Sequence, residues 1–376
     1  MQAFDVIVIG VGGMGSAATY HLARRGVRVL GLEQFDIPHD RGSSHGVNRI
    51  IRLAYFEHPS YVPLLQRAYQ LWREIENLSG ERLLIITGSV DAGLPSSETV
   101  KGSLLACELH HLPHEVLDAA ALRRRFPGYR LPDDMIAVHQ PDGGFVLSER
   151  AIVAYVTAAQ DLGAEVHARE PVVAWQMTGD HIEVRTAHDT YRAGRLVITA
   201  GPWASRMVPA LGRLARPERQ VLIWTQPLRP EYFRLGAFPV CNLRTSEGHY
   251  YAFPVYGVPG FKLGRYHHRY EHTDPDAVDR EIHPEDEAVL REGIRRYFPD
   301  ADGPTMAMKT CLFTNSPDEH FILDRHPQHA NVAIAAGFSG HGFKFCSVVG
   351  EIMADLALEG ESRHDLVLFR LGRFGP

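Results

Sequence analysis

Glycines near the start of the chain are spaced as a phosphate-binding turn requires. Gly10, Gly12 and Gly15 follow the apolar run at residues 6–9 and precede a helical pattern. Glycines at these positions allow a tight turn and close backbone approach, and the free N–H groups of the helix N-terminus can bind a pyrophosphate. Glu33 ends a second apolar run and supplies a carboxylate for ribose hydroxyls. The combination predicts a dinucleotide-binding βαβ unit rather than a plain glycine turn.

Two later segments indicate which dinucleotide is bound. Residues 196–203 read as a buried strand followed by Ala200 and Gly201, which resembles the second flavin-contacting strand of glutathione-reductase-type FAD enzymes. Residues 337–344 place Gly340, His341 and Gly342 ahead of a helix, whose positive N-terminal end would favour the anionic region of a reduced flavin. Each segment alone is also compatible with an ordinary turn, but together they favour FAD over NAD.

The elements that carry these glycines recur at the start, middle and end of the chain. Residues 1–85, 141–215 and 305–376 show the buried strands and amphipathic helices of a parallel sheet, and we assign them to a discontinuous FAD-binding domain. Residues 86–140 and 216–304 include short alternating strands, which we assign to a substrate domain. The expected fold class is α/β, with a glutathione-reductase-type Rossmann domain and an inserted, mostly antiparallel sheet.

Composition argues against several classes of protein. The 39 Lys and Arg residues against 45 Asp and Glu residues give a net charge of −6 without a basic stripe, so no nucleic acid is expected as a partner. The four cysteines lack CxxC spacing, so no metal site is expected, and they suit a reducing cytoplasm. The apolar N-terminal run is too short to span a membrane and lacks the features of a signal peptide.

Three longer motifs carry a family resemblance. They read Gly-Ser-Ser-His-Gly-Val-Asn-Arg-Ile-Ile-Arg at 42–52, Lys-Thr-Cys-Leu-Phe-Thr-Asn-Ser-Pro-Asp-Glu-His-Phe at 309–321, and Gly-Phe-Ser-Gly-His-Gly-Phe-Lys-Phe at 337–345. These motifs closely resemble the matching segments of monomeric sarcosine oxidases, a family that includes N-methyltryptophan oxidase. The resemblance covers the whole chain in order and length, and it implies a monomer.

The resemblance implies roles for residues around the flavin. Cys311 matches the cysteine that forms a thioether with the flavin 8-methyl group, whereas a lone cysteine is otherwise best read as a small buried hydrophobe. His45 and Arg49 match residues close to the flavin ring. Lys262 matches the lysine that activates oxygen, because a cation there stabilises the negative charge that develops on oxygen. Without the resemblance, Lys262 would be read as a solvated strand lysine.

The resemblance also implies a substrate site. Arg52 and Lys344 match the pair that holds the substrate carboxylate, and the planar fork of an arginine with the compact charge of a lysine suits that role. Tyr251 matches a tyrosine that lines the substrate cavity. An active-site histidine follows the oxygen-activating lysine in the family; here the segment has apparently one extra residue, so His267 is expected at that place, with His268 as the alternative.

The expected activity is the flavin-dependent oxidation of a secondary amine by oxygen. The resemblance favours sarcosine, which would give glycine, formaldehyde and hydrogen peroxide. The alternatives are N-methyl-L-tryptophan, another N-methyl amino acid, or a cyclic amine such as proline or pipecolate. A dehydrogenase that passes electrons to a carrier is a further alternative, against which Lys262 argues. A different class would be a NAD-binding or non-catalytic nucleotide-binding protein.

Overall fold

The fold is built on two large β-sheets, as seen in a computed structural model that describes residues 2–257 and 260–375. In chain order its strands are β1 (Gln2–Ile9), β2 (Val29–Leu32), β3 (Asn48–Ile51), β4 (Leu84–Ile86), β5 (Ser89–Gly93), β6 (Glu115–Asp118), β7 (Ile136–Gln140), β8 (Gly144–Leu147), β9 (Glu165–His167), β10 (Val172–Thr178), β11 (His181–Thr186), β12 (Thr190–Ile198), β13 (Arg216–Thr225), β14 (Val240–Arg244), β15 (His249–Phe253), β16 (Phe261–Arg265), β17 (Thr305–Asn315), β18 (Ile322–His326) and β19 (His329–Ala336). Its α-helices are α1 (Gly13–Arg24), α2 (Tyr61–Ser79), α3 (Glu98–Leu109), α4 (Ala119–Arg125), α5 (Ser148–Asp161), α6 (Ala204–Met207), α7 (Pro230–Phe233), α8 (Pro284–Tyr297) and α9 (Cys346–Leu358).

The first sheet has a parallel centre. Its strands lie in the order β10-β11-β12-β1-β2-β9, and β19 also pairs with β12 and β18. Strand β1 runs parallel to β12 on one side and to β2 on the other. Its residues Val6, Ile7 and Val8 are fully buried, which explains the uninterrupted apolar run, because a central parallel strand is covered on both faces. The expected unit of strand, helix and strand is present as β1, α1 and β2.

The second sheet has the order β17-β13-β16-β15-β14-β5-β7-β6. All of its neighbouring pairs are antiparallel except β14 with β5. It joins strands from the two segments that the sequence assigned to the substrate domain. Strand β17, which the sequence assigned to the FAD-binding domain, pairs with β13 along most of its length. The domain boundaries therefore stay a prediction.

Helix α2 links the core to the site. Apolar residues recur along it at helical spacing, so Leu64, Leu71 and Trp72 are buried in the core that α1, α5 and α9 also form. Burial of each such side chain contributes roughly 1.5–3 kcal/mol. The Trp72 indole N–H donates a hydrogen bond of 2.8 Å to the backbone oxygen of Lys344. The packed helix thus fixes the turn that carries this lysine.

A small third sheet, in the order β3-β8-β4, stands beside the two large ones. Strand β3 carries Asn48 and Arg49 and is followed directly by Arg52.

Within residues 2–257 and 260–375, no helix combines the length and apolar character needed to cross a membrane.

Candidate active site

A long cleft opens at the carboxyl end of β1. The turn after this strand needs glycine, because a Cβ atom on Gly15 would lie 1.8 Å from the backbone oxygen of Gly10. Glu33 is buried at the end of β2, where its carboxylate accepts hydrogen bonds from Val11 N at 2.9 Å and Phe35 N at 3.1 Å. Burial raises the pKa of Glu33, and these hydrogen bonds oppose the increase. The turn and the carboxylate thus have the arrangement that dinucleotide binding requires.

The same cleft passes the other two glycine segments. Its walls include Gly10, Gly12, Glu33, Ser44, Arg49, Ala200, Gly201, Trp203, Leu312, Phe313, Gly337, Gly340 and Gly342. Gly340 has a φ of +79°, and a Cβ atom there would lie 2.4 Å from the Phe313 ring. The structure therefore brings the three sequence segments that favoured FAD together in one cleft.

Cys311 lies buried where the cleft meets the second sheet. The Nη2 atom of Arg49 donates to its Sγ atom at 3.5 Å, and the same atom donates to Ser43 O at 2.8 Å. Burial alone would raise the pKa of the Cys311 thiol, but His45 and Arg49 lower it to about 6. His45 is buried, and neither ring nitrogen has a hydrogen-bond partner among the described residues. Because the thiolate is the nucleophile of a cysteine, this environment favours a reactive Cys311.

A second cavity adjoins Cys311 and extends to Arg52 and Lys344. Its lining is Arg49, Ile50, Arg52, Leu222, Asn242, Tyr251, Phe253, Tyr266, Cys311, Phe313, Gly340, His341, Phe343 and Lys344. The structure thus brings together the predicted carboxylate-binding pair, the predicted tyrosine and the predicted flavin-bonding cysteine. Aromatic side chains form much of the wall, so a ligand here would leave bulk water while its charged end met two cations.

Arg52 is held by carboxylate and aromatic groups. Its Nη2 atom donates to both carboxylate oxygens of Glu57, at 2.8 and 2.9 Å, and its Nη1 atom donates to Ala54 O at 2.7 Å. The guanidinium carbon lies 4.5 Å from the ring centroid of Tyr55 and 4.2 Å from that of Phe56. These contacts fix the direction of the fork, and Glu57 occupies its Nη2 edge.

Lys344 provides the second positive charge. Its Nζ atom donates to His341 O at 2.7 Å. The pKa of Lys344 is lowered to about 7, chiefly by burial. The charge of Arg52 also lowers this pKa, and its effect is larger than the opposing effect of Glu57. The cation is therefore poorly compensated in this structure, and a substrate carboxylate would compensate it.

His341 is a neutral structural contact. Its Nε2 atom lies 2.9 Å from Glu319 O, and because a carbonyl only accepts, Nε2 carries the proton. Its Nδ1 atom therefore accepts from the Tyr55 hydroxyl at 2.5 Å. Burial lowers the pKa of His341 to about 4, which keeps the ring neutral. The ring joins the glycine loop to the segment that follows Arg52.

Lys262 is buried next to the cavity but does not belong to its lining. Its Nζ atom donates to Gly46 O at 2.8 Å, Asn48 O at 2.7 Å and Asn48 Oδ1 at 2.9 Å. Burial lowers the pKa of Lys262 well below its usual value, and the charge of Arg49 acts in the same direction. The lysine thus packs beneath the loop that carries His45 and Arg49.

The structure does not bring His267 to the cavity, and the expectation for this residue needs correction. Its ring lies between Glu218, at 3.1 Å, and Glu319, at 3.0 Å, and these carboxylates raise its pKa to about 9. The alternative, His268, is buried against Asp286 at 3.0 Å. Tyr266 lines the cavity instead. Tyr266 directly follows β16, whereas His267 lies in the turn beyond it with a φ of +52°, so its ring points toward Glu218 and Glu319 instead of the cavity.

Comparisons with known proteins identify the family. The family model described as FAD dependent oxidoreductase matches residues 5–356. The chain is 44% identical over 373 residues to the monomeric sarcosine oxidase of Streptomyces avermitilis, which covers 97% of this chain and 96% of that protein. The chain belongs to the monomeric sarcosine oxidase family. Its membership confirms the expected family, the expected FAD-dependent class of enzyme and the expected FAD cofactor.

A second relative and a solved structure support the same family and fold. The chain is 36% identical over 383 residues to the N-methyl-L-tryptophan oxidase of Citrobacter koseri, with 99% of both chains covered. NikD, an unusual amino acid oxidase essential for nikkomycin biosynthesis, has a TM-score of 0.86 at 26% identity and 98% coverage of each chain. The α/β FAD-binding fold expected from the sequence is thereby confirmed.

FAD fits the residues that this family member provides. The Gly10–Gly15 turn would hold the pyrophosphate and Glu33 the ribose, while Gly340 and Gly342 line the same cleft. The two unpartnered nitrogens of buried His45 indicate that a polar group is needed beside Cys311. When bound, FAD supplies the acceptor for two electrons, which side chains of the protein cannot provide.

Among the residues of the site that sequence reasoning missed are Glu57, Tyr266, Phe313 and Asn242. Tyr266 directly follows the end of β16 and sits beside the predicted histidine, but its residue type gave no signal of a site. Phe313 lies two positions after Cys311 on β17, so the alternation of side chains along a strand places both on one face. Glu57 and Asn242 carried no local signal, because their positions depend on a loop conformation and on strand pairing.

Proposed function

We propose that the protein is an FAD-dependent oxidase of secondary-amine amino acids and that sarcosine is its substrate. The reaction would consume sarcosine, oxygen and water and release glycine, formaldehyde and hydrogen peroxide in equal amounts. The observation that carries the proposal is the pair of buried cations, Arg52 and Lys344, in a cavity that also reaches Cys311. An amino-acid carboxylate bound by this pair would lie within an aromatic enclosure beside the flavin cleft.

Carboxylate binding would begin with an exchange at Arg52. The substrate carboxylate replaces Glu57 at the Nη2 edge and adds a contact to the Lys344 ammonium. Arg52 supplies a bidentate fork and Lys344 a compact charge, which orients the carboxylate and excludes water from it. Charge-assisted hydrogen bonds of this kind contribute about 1.5–3 kcal/mol each.

The amine must be neutral before electrons can leave its C–N bond. Two cations in a desolvated cavity lower the pKa of a substrate ammonium, so the proton is lost more easily there than in water. Bound FAD would accept the two electrons and transfer them to oxygen. The imine product hydrolyses in water to formaldehyde and glycine.

A covalent link through Cys311 is part of this proposal. The lowered pKa of Cys311 supports it, because a thiolate is needed to bond the flavin. His45 and Arg49 would stabilise this thiolate by charge, and Arg49 also by its hydrogen bond to Sγ. The other three cysteines are also buried, and burial raises the pKa of each, so we assign no such role to them.

Oxygen activation by Lys262 is likewise proposed. The ammonium lies beneath the Gly46–Asn48 loop, and its three hydrogen bonds fix it in the core without a carboxylate partner among the described residues. A fixed positive charge of this kind stabilises the negative charge that oxygen acquires on reduction.

The molecule would act as a cytoplasmic monomer with small-molecule substrates. The name of the Streptomyces relative supports a monomer, and the four free cysteines support a reducing compartment. N-methyl-L-tryptophan is the second candidate substrate, because the Citrobacter relative is named for it and aromatic rings line the cavity.

Product stoichiometry tests the proposed reaction. Purified enzyme with sarcosine should consume oxygen and release formaldehyde and hydrogen peroxide in equal amounts. An oxygen-independent release of formaldehyde with an added electron carrier would instead identify a dehydrogenase. The absence of formaldehyde with sarcosine and with N-methyl-L-tryptophan would exclude oxidative demethylation of both.

A further inference from the structure

A row of polar side chains crosses the sheet face that forms one wall of the cavity. Asp91 on β5 pairs in register with Asn242 on β14, which pairs with Tyr251 on β15, which pairs with Gly264 on β16. Paired residues on neighbouring strands place their side chains on the same face. The Tyr251 ring lies over Gly264, where a Cβ atom would approach it to 2.3 Å. The cavity wall is therefore polar at Asn242 and Tyr251 and backed by Asp91.

Asp91 fixes the orientation of the Asn242 amide. Asp91 is fully buried, and its Oδ1 atom accepts from Asn242 Nδ2 at 2.8 Å and lies 3.6 Å from Arg52 Nε. Its Oδ2 atom accepts from the Ser103 hydroxyl at 2.9 Å. Burial raises the pKa of Asp91, but the charge of Arg52 and the hydrogen bonds from Asn242 and Ser103 oppose this increase and favour the carboxylate. A carboxylate only accepts hydrogen bonds, so the Asn242 NH₂ group faces it and the amide oxygen points elsewhere.

The Asn242 oxygen is thus offered to the cavity. Asn242 is only 3% exposed and lines the cavity, and its Oδ1 atom has no hydrogen-bond partner among residues 2–257 and 260–375. The neighbouring Tyr251 also lines the cavity but is only partly buried. An acceptor that faces an enclosed cavity without a partner is costly, and a hydroxyl group of a ligand would donate to it.

The place of Asn242 indicates which part of a substrate it would meet. Asn242 Nδ2 and Arg52 Nε share one oxygen of Asp91, so the amide lies beside the cation that would hold the substrate carboxylate. A carboxylate on Arg52 would bring the substituent on its own Cα carbon toward this wall. We infer that Asn242 is a specificity-determining residue that favours N-methyl amino acids with a side-chain hydroxyl group, of which N-methyl-L-serine is the simplest.

This inference rests on the proposed function, and its test separates the two. The substrates are N-methyl-L-serine, sarcosine and N-methyl-L-2-aminobutyrate, which has a methyl group in place of the serine hydroxyl. Anaerobic bleaching of the flavin is followed at increasing substrate concentration, which gives the half-saturating concentration separately from the limiting rate. In the wild type, N-methyl-L-serine should half-saturate at a concentration about tenfold below that of the aminobutyrate, since an unpaired acceptor disfavours the latter.

Variants assign the preference to the amide. Asn242→Leu should reduce the ratio between the two half-saturating concentrations to within about twofold, because leucine has a similar size but no acceptor. Ser103→Ala, which removes the bond to the other oxygen of Asp91, should keep the ratio. The comparison is a ratio within each variant, so a general loss of activity cancels.

Each outcome has one meaning. Equal half-saturation by the serine and aminobutyrate substrates in the wild type, or a preference that survives in Asn242→Leu, would overturn the role of Asn242 while leaving the proposed oxidation intact. Bleaching by N-methyl-L-serine but not by sarcosine would support Asn242 and remove sarcosine as the substrate. No bleaching by any of the three would remove the proposed function, and this inference with it.

Discussion

Arg49 donates a hydrogen bond to the Cys311 sulfur at 3.5 Å, across a loop that also places His45 against the same thiol. The consequence is a thiol whose pKa is about 6, although burial would raise it. Cys311→Ala should therefore release the flavin from the protein. Acid precipitation should leave the yellow colour in the pellet of the wild type and in the supernatant of Cys311→Ala.

Cys241→Ala is the matched control for this experiment. Cys241 is as buried as Cys311, but burial raises the pKa of its thiol without an opposing cation. The yellow flavin colour of the Cys241→Ala variant should therefore stay in the pellet. Colour in the wild-type supernatant would show that the flavin is not covalently held.

Substrate-carboxylate binding should weaken as the pH rises above about 7, the pKa to which burial lowers Lys344. A bound carboxylate favours the charged ammonium, so binding takes up a proton once the free enzyme has lost it. The dissociation constant of a carboxylate without an amine, such as methoxyacetate, should rise by up to about tenfold per pH unit above this pKa. The measurement is the perturbation of the flavin spectrum between pH 6 and 9, values chosen to bracket that pKa.

Lys344→Met provides the comparison for the pH dependence. The variant should bind methoxyacetate more weakly than the wild type at pH 6. Its affinity should not show the decrease above pH 7 that is expected of the wild type. A wild-type affinity that stays constant across the range would mean that Lys344 does not titrate in contact with the ligand.

Lys262→Met should slow reoxidation of the reduced flavin by oxygen far more than its reduction by sarcosine. The loss should be of the order of 10²–10³, the range for removal of one electrostatic stabiliser. Stopped-flow mixing of the reduced enzyme with oxygen measures this step directly. Lys101→Met, on the exposed side of α3, is the control and should reoxidise at the wild-type rate. An unchanged oxidative rate in Lys262→Met would remove the proposed role.

Tyr266, rather than His267, should influence substrate oxidation. Tyr266→Ala removes part of the aromatic enclosure and should raise the half-saturating sarcosine concentration by roughly tenfold, since burying such a ring against a ligand contributes more than 1 kcal/mol. His267→Gln keeps a polar side chain between Glu218 and Glu319 and should alter it less than about twofold. The opposite ranking of the two variants would restore the histidine to the site.

The sequence predicted those parts of the molecule that depend on local patterns. The glycine turn, Glu33 and the apolar run of β1 are each encoded within a few residues, so the FAD-binding unit and its fold class could be recognised. Tyr266 was missed because the choice followed residue type, whereas the turn after β16, in which His267 has a positive φ, decides which residue faces the cavity.

Long-range pairing set the limit of that reasoning. Asp91 and Asn242 are 151 residues apart and meet only because β5 pairs with β14 in one register. The contact between Arg52 and Glu57 depends on the conformation of the loop between them. Neither the strand order nor a loop conformation follows from the periodicity of the sequence. The pairing of Asp91 with Asn242 and the binding of Arg52 to Glu57 could therefore be recognised only in the structure.

The most direct test of the account is anaerobic bleaching of the flavin by sarcosine, N-methyl-L-tryptophan, L-proline and L-pipecolate. We expect rapid bleaching by sarcosine, with loss of absorbance near 450 nm, a general property of flavin reduction, and no bleaching by Arg52→Met at the same concentration. Failure of all four compounds to bleach the wild-type flavin would contradict the assignment of a secondary-amine amino acid oxidase.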